Sequence, residues 1–547
     1  MNNILMLYNK LRIKDKQNIG TLPIDNRVIL SKLVTDSSAD TELKYVWINR
    51  AVAQASKNNT TAILGLNDND SSEYKTTRRM TLELRKKQGN PIPFEINNLT
   101  DFNNFIENYK EKYIIIKQNY PNYHNEEYQN LKNLNFKGIT TINANSEEGN
   151  KVIGGNKCLV KLSYRTQKWF DEEIEKYLLY FYNRNSIIID YEFKNSLITM
   201  QELTKSLLIP TEYYKGDIEG LKEIIKKLLD NDFLPVFKFD NSISGYGVHY
   251  PRNNTGEYDI KEIKEAIVSA DTLKSYLVSV LNKNGQKINE KYLIENIKKN
   301  GIMLQKFIKG KDYAIGFFKP LNIYNKNFSL GIIDISLSDV ITDGTAHYAD
   351  VLHFEDKYLD KIVKNTIFEN RSQLLYLAIE IFIYLLFLNE ELIKTPEEFM
   401  NVNFEDFGIQ LMVDNNGEIG LIEINGRTPS HNFNKFNILS IYGKEFFSKI
   451  KANKILCTSC NVLEKKVFNK YIRNKNIQNK FIEYLIVEVK KIYNDKCQIT
   501  SFQVMEDNFS IYYTYFMNEE DKTFDIVNEI KEFFNRITRE FIKRNLI

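Results

Sequence analysis

The sequence predicts a multidomain chain of α/β and α+β architecture, and three features carry that expectation. Its 547 residues exceed what one hydrophobic core usually holds, so about three or four domains are expected. Residues 1–190 alternate short apolar strands with helical stretches, the pattern of an α/β layer. Two later strand–turn–strand units, at 234–248 and 407–424, alternate with helical segments and indicate antiparallel hairpins.

Composition narrows the class. Apolar residues at 43% and aromatics at 13% place the chain with globular rather than disordered proteins. Lys and Arg total 74 against 71 Asp and Glu, and a net charge of +3 gives no global field for nucleic acid or an anionic membrane. Local phosphate sites remain possible, and monomer and oligomer are both left open. Four cysteines in so long a chain, and no secretory pattern at Met1-Asn2-Asn3, fit a reducing cytoplasm. The pair Cys457-Thr458-Ser459-Cys460 has only Cys497 after it, short of the four ligands a structural zinc needs, so ordinary thiols are expected. The apolar run at 374–388 is interrupted by Glu380 and falls short of the roughly 20 residues of a bilayer span; it reads as a core helix.

In chain order, strands are expected at 4–8, 61–66 and 112–116, with a charged segment at 75–87, and the arrangement is compatible with a Rossmann-like layer. Gly65-Leu66-Asn67 reads first as a turn, with a substrate loop as the alternative. A helix at 196–208 ends at Ile209-Pro210-Thr211, and a second helix at 218–230 leads into a strand at 234–239 that carries Lys238. The loop that follows holds Ser242, Ser244, Gly245 and Gly247. Glycines let backbone N–H groups approach phosphate oxygens and serines add hydroxyl donors, although such a loop read alone is equally a plain turn. No Gly-Lys-Ser/Thr follows it and no third glycine opens a helix, which excludes a Walker loop and a dinucleotide fingerprint. The segment 301–313 runs through Gln305, Lys306, Phe307 and Ile308 to Gly310-Lys311-Asp312. Beyond it come an expected strand at 330–336, a turn at 344–350 with His347, and a helix at 371–388. The tail reads as strands at 484–489, 499–504 and 509–516 followed by an amphipathic helix at 524–543.

The chemistry concentrates in 404–437. Two apolar strands flank the turn Asp414-Asn415-Asn416-Gly417. Strand alternation puts Glu423 and Asn425 on one face, and folding at that turn sets Gln410 opposite or nearly opposite Glu423. Carboxylate and amide oxygens are the hard ligands Mg²⁺ takes, with phosphates completing the octahedron. A surface hairpin with a polar end is the alternative reading of these residues alone.

This stretch resembles the terminal motif of the ATP-grasp superfamily, with Gln410, Glu423, Asn425 and Arg427 at the matching positions. Two further stretches match in the family's order. The Lys238 strand with its small-residue loop resembles the family's phosphate-covering hairpin, and 305–312 resembles its hinge. The resemblance implies a pre-ATP-grasp-like domain at 1–190, an ATP-grasp domain at 191–450 (small lobe 210–304, hinge 305–312, large lobe to 450), and a small α+β domain at 451–547. It further implies ATP as cosubstrate and Mg²⁺, or Mn²⁺ in its place, on Gln410, Glu423 and Asn425. Lys194 and Lys238 would meet the nucleotide, the backbone of Lys306 and Ile308 the adenine edge, Gln305 the adenine amine, and Asp312 the ribose. Arg427 and Lys238 would neutralise charge on the transferring phosphate. The implied reaction joins a carboxylate to an amine, free or carrier-bound, through an acyl phosphate with release of ADP and phosphate, as in ligases of secondary metabolism. A carboxylase or phosphotransferase on the same fold, or a silent ATP-binding regulator, are the competing expectations.

Overall fold

The computed structural model describes residues 27–32, 52, 60–64, 72–96, 99–109, 113–118, 138–144, 158–162, 209–239, 248–253, 257–283, 289–299, 301–318, 334–342, 347–353, 407–414, 416, 419–425, 434, 437–438, 441, 454–462, 472–504, 509–518 and 520–545. The expected strand at 4–8 and helices at 196–208 and 371–388 lie outside them.

The N-terminal region contains β1 (Arg27–Lys32), β2 (Thr60–Leu64), α1 (Ser72–Lys87), β3 (Phe94–Ile96), α2 (Leu99–Asn108), β4 (Tyr113–Gln118), β5 (Gly138–Ala144) and β6 (Cys158–Leu162). Its strands form one sheet in the order β3-β2-β1-β4-β5-β6, every pairing parallel. That is the doubly wound order, with its switch point between β1 and β4. The charged 75–87 segment lies in α1, with Glu73 in its first turn and Arg85, Lys86 and Lys87 in its last, both favourable to the helix dipole.

The second sheet is built from β7 (Thr211–Tyr214), α3 (Ile218–Asp230), β8 (Pro235–Phe239), β9 (Val248–His249), α4 (Ile260–Ala266), α5 (Ala270–Lys283), α6 (Glu290–Lys299) and β10 (Ile302–Lys306). Its strand order is β7-β10-β8-β9, all antiparallel. Asp217 caps α3 by accepting from the Gly220 N–H at 2.8 Å. Leu221 and Ile225, one turn apart, bury against Phe237, Phe239, Ile302 and Leu304 of the sheet and against Leu273, Leu277, Leu293 and Ile297 of the later helices. With the odd residues of β8 and the even residues of β10 in that core, the two-residue period turns Val236, Lys238, Met303 and Gln305 to the other face.

The third sheet has eight strands: β11 (Gly310–Phe318), β12 (Asp334–Thr342), β13 (His347–His353), β14 (Phe407–Asp414), β15 (Ile419–Asn425) and β16 (Lys454–Asn461), then, after α7 (Lys475–Tyr493), β17 (Cys497–Val504) and β18 (Phe509–Met517); α8 (Thr523–Asn545) closes the chain. The order is β15-β14-β11-β12-β13-β16-β18-β17. Strands on both sides of position 450 thus belong to one sheet, joined where β13 pairs with β16 from Ala349↔Thr458 to His353↔Lys454. One face is covered by α1, α7 and α8, through Met80, Leu84, Phe481, Leu485, Phe534 and Phe541.

Three local expectations are corrected. The 484–489 strand is instead the middle of α7, because Phe481, Ile482, Leu485 and Val489 recur at helical spacing and are buried together, while Asn474 caps the helix. The strand expected at 330–336 overlaps β12 at 334–336, continues to Thr342 and has its first four positions outside the described residues, and His347 opens β13 rather than sitting in a turn.

Gly310 joins the second and third sheets. A Cβ there would lie 2.2 Å from the Val413 carbonyl oxygen and 2.9 Å from the Asp414 nitrogen, both backbone atoms that cannot rotate away. Gly310→Ala is expected to cost about 1–3 kcal/mol through this overpacking, read as a fall in the urea midpoint. An unchanged midpoint would place β11 farther from β14.

Cys457, Cys460 and Cys497 are buried free thiols. Burial pushes all three up, Cys460 from 9.0 to about 12. The fold favours the neutral thiol, so the unfolded chain ionises first. This contribution to stability is full below the unfolded value near 9.0 and is lost as pH rises towards about 12. Melting temperature measured from pH 8 upward should begin to fall about pH 9.

Candidate active site

The second sheet and the β14–β15 hairpin meet at Lys238. Its side chain is only 4% exposed, and Nζ donates to the Ile422 carbonyl oxygen at 3.0 Å. The reason lies in the hairpin's register. Gln410 pairs with Glu423 but Leu411 pairs with Leu421, so Ile422 is the extra residue of a bulge. A bulged residue falls out of the ladder, and its carbonyl is turned to another donor. The same bulge keeps Glu423 directly opposite Gln410, with Asn425 two positions on, opposite Gly408.

Gln410 is in turn tied to Asp312 of β11. Its Nε2 donates to Asp312 Oδ2 at 2.7 Å. An ionised carboxylate accepts only, which fixes the amide orientation: nitrogen towards Asp312, Oε1 left as the oxygen available to a cation. Asp312, Gln410 and Glu423 thus occupy three adjacent strands, β11, β14 and β15. Among the described residues, no three His, Cys, Asp or Glu side chains converge as a metal site.

The hinge connects the two sheets. Gln305, 4% exposed, lies on the Lys238 side of β10. The N–H of Lys306 donates to the Pro210 carbonyl and that of Phe307 to the Leu234 carbonyl, both at 2.8 Å. Ile308 and Ile209 close on Gly420 of β15, where an added Cβ would meet them at 2.4 and 2.7 Å. The Phe307 ring packs on Tyr250 at 4.9 Å and on Tyr258 at 5.3 Å. Tyr258 donates to the Pro235 carbonyl at 3.0 Å, and burial pushes its phenol well up. An exposed pair, Lys309 to Glu257 at 2.7 Å, holds the far side of the hinge, and Lys309 lowers the Glu257 carboxyl.

Of the residues expected from sequence, Lys238 and Gln305 share one face of the second sheet, Lys306, Phe307 and Ile308 form the link to the third sheet, and Asp312, Gln410, Glu423 and Asn425 lie on the adjacent strands β11, β14 and β15. Lys194, Ser242, Ser244, Gly245, Gly247 and Arg427 lie outside the described residues. Three features were missed. The Asp312–Gln410 contact needs the pairing of β11 with β14, which local sequence does not reveal. Tyr250 stood two residues past the expected return strand. Asp350, 1% exposed, accepts from Asn434 Nδ2 at 2.8 Å and ties 434 to β13, and an Asn following the hairpin was the only signal.

No family model matches the chain. No curated protein matches it either. Similar solved structures include an ADP complex of purK, N5-carboxyaminoimidazole ribonucleotide synthetase, with a TM-score of 0.43 and 10% identity over 95% of this chain and 98% of that one. The N5-carboxyaminoimidazole synthetase of Staphylococcus aureus follows at 0.40 and 10%, covering 95% and 99%. An L-amino acid ligase from Bacillus licheniformis gives 0.33 and 8%, covering 95% and 98%.

Proposed function

We propose that the chain is an ATP-dependent carboxylate–amine ligase of the ATP-grasp type, using an acyl phosphate and releasing ADP and phosphate. One observation carries the reading. The buried Lys238 of the second sheet donates to Ile422, next to Glu423, which sets a fixed cation against the hairpin that carries the expected oxygen donors. The adenine would sit at the hinge, against the Lys306 carbonyl, the Ile308 N–H and Gln305, with Phe307 and Tyr250 beside it. The triphosphate would run from there towards Lys238, which presents a point charge to it. Ser242, Ser244, Gly245, Gly247 and Lys194 are proposed to complete the phosphate contacts.

The donor set fits Mg²⁺: Glu423, Asn425 and Gln410 Oε1 are hard oxygen ligands, and Asp312 sets a carboxylate beside Gln410. When bound, the metal would supply Lewis-acid charge that offsets the charge developing on the transferring phosphate. A substrate carboxylate oxygen attacks the γ-phosphorus while the bond to the β-phosphate oxygen breaks and ADP leaves. An amine then attacks the acyl carbon, phosphate departs with the C–O electron pair, and the amine proton passes to solvent. Lys238 and Arg427 hold the transferring group by charge, and the protein forms no covalent bond. Free or carrier-bound acids and amines, and a place in secondary metabolism, belong to this proposal.

A neutral Gln410 would favour a silent ATP binder if it left the hairpin short of charge. Asp312, 2.7 Å away, makes up that charge from the neighbouring strand. Gln410→Glu is therefore expected to keep turnover and move the Mg²⁺ dependence to lower concentration. Without metal, the new carboxylate faces Asp312 and loses a charge-assisted hydrogen bond of about 1.5–3 kcal/mol, so the metal-free melting temperature drops and Mg²⁺ restores it. A metal-independent drop would make Gln410 a packing residue. Incubation with ATP, Mg²⁺ and pooled amino acids, reading ADP and new masses, tests the proposal. Amide products support it, carboxylated or phosphorylated products favour a different transferase on the same site, and ATP binding without turnover a regulator.

A further inference from the structure

In the β7–β10 ladder, Gln305 registers with Thr211, and the next position brings Lys306 to Pro210, with the Lys306 N–H donating to the Pro210 carbonyl at 2.8 Å. Residues paired this way in an antiparallel ladder normally exchange two bonds, each N–H to the other's C=O. Proline has no N–H, so the return bond to the Lys306 carbonyl cannot form. The other flank of β10 does not supply it: there the ladder runs through Phe307 to Leu234, and the residue opposite Lys306 is Pro235, a second proline. The other four residues of β10, 302–305, have neighbours on both sides that carry an N–H. At the one position where the strand becomes the hinge, sequence has removed the donor from each neighbour.

We infer that Pro210 is a positioning residue that keeps the Lys306 carbonyl open for an exocyclic amine, and so makes the hinge choose a 6-amino purine nucleotide over a 6-oxo one. The inference rests on the nucleotide reading above. A carbonyl oxygen attracts the N6 amine of adenine. At the same place hypoxanthine and guanine present an oxygen, which the carbonyl repels and which leaves a polar group unpaired.

The test is nucleotide preference, measured calorimetrically with ATP and ITP on the full chain. Wild type is expected to favour ATP. Pro210→Ala introduces an N–H that occupies the Lys306 carbonyl. It should weaken ATP by about fivefold, one hydrogen bond of ~1 kcal/mol, and leave ITP unchanged, with no loss of melting temperature because a ladder bond is gained. Pro210→Gly introduces the same N–H and should behave alike if the alanine variant folds poorly. Pro235→Ala, on the flank the carbonyl does not face, should leave the ratio unchanged. Equal weakening of both nucleotides in the Pro210 variants would mean a merely structural proline and overturn the inference, as would an unchanged ratio. A wild type that binds neither nucleotide overturns the nucleotide reading itself, an outcome distinct from these.

Discussion

Glu423→Ala is expected to abolish ADP release while the chain folds as before. Position 423 lies in register with Gln410 at the end of β15, beside the bulge that aims Ile422 at Lys238. Removing the carboxylate takes the strongest anion from the proposed cation site without deleting a packed apolar group, so stability should change little. Even outer-shell partners of a metal typically cost about 10–100-fold in affinity or activity when removed, and a direct ligand should cost no less. Turnover measured by coupled ADP detection, together with a thermal melt, checks both halves. Undiminished ADP release would remove Glu423 from the site, and collapse of the fold would make it structural.

Lys238→Met has the second-largest expected effect and acts twice. The substituted side chain keeps the length and packing of the stem at a position only 4% exposed, but it no longer donates to Ile422. Losing that charged hydrogen bond loosens the contact between the second sheet and the hairpin by about 1.5–3 kcal/mol. In the nucleotide complex the same ammonium is proposed to meet phosphate, where a hydrogen bond to a charged group contributes about 1.5–3 kcal/mol, equivalent to roughly ten- to a hundredfold in affinity. Calorimetry should therefore show ATP binding weakened by that factor, along with a slower reaction. Unchanged ATP affinity would leave Lys238 as an interlobe strut only.

What was legible in the sequence follows from the range of each interaction. The β14–β15 hairpin could be read because its turn residues and two-residue period are local, and they set Gln410 opposite or nearly opposite Glu423, with the bulge deciding between the two. The helix Ile218–Asp230 could be read from its apolar spacing and Asp217 cap. The bulge at Ile422 could not, because it exists only in the pairing of two strands, and with it the Lys238 contact was hidden. Tyr484, Ile486, Val487 and Val489 favour strand individually, yet packing of Phe481 and Leu485 against the third sheet decides for helix. The pairing of β13 with β16 joins residues about a hundred positions apart and that of β16 with β18 residues about fifty to sixty apart, separations no local pattern encodes.

The most direct test of the account follows an oxygen atom. Wild-type protein is incubated with ATP, Mg²⁺, amines and a pool of amino acids carrying ¹⁸O in the carboxylate, and the phosphate released is analysed by mass. An acyl phosphate requires one carboxylate oxygen to leave with the phosphate, so ¹⁸O-labelled phosphate should appear in step with ADP, and Glu423→Ala should release neither. AMP with pyrophosphate, or ADP with unlabelled phosphate while an amide forms, would contradict the proposed chemistry.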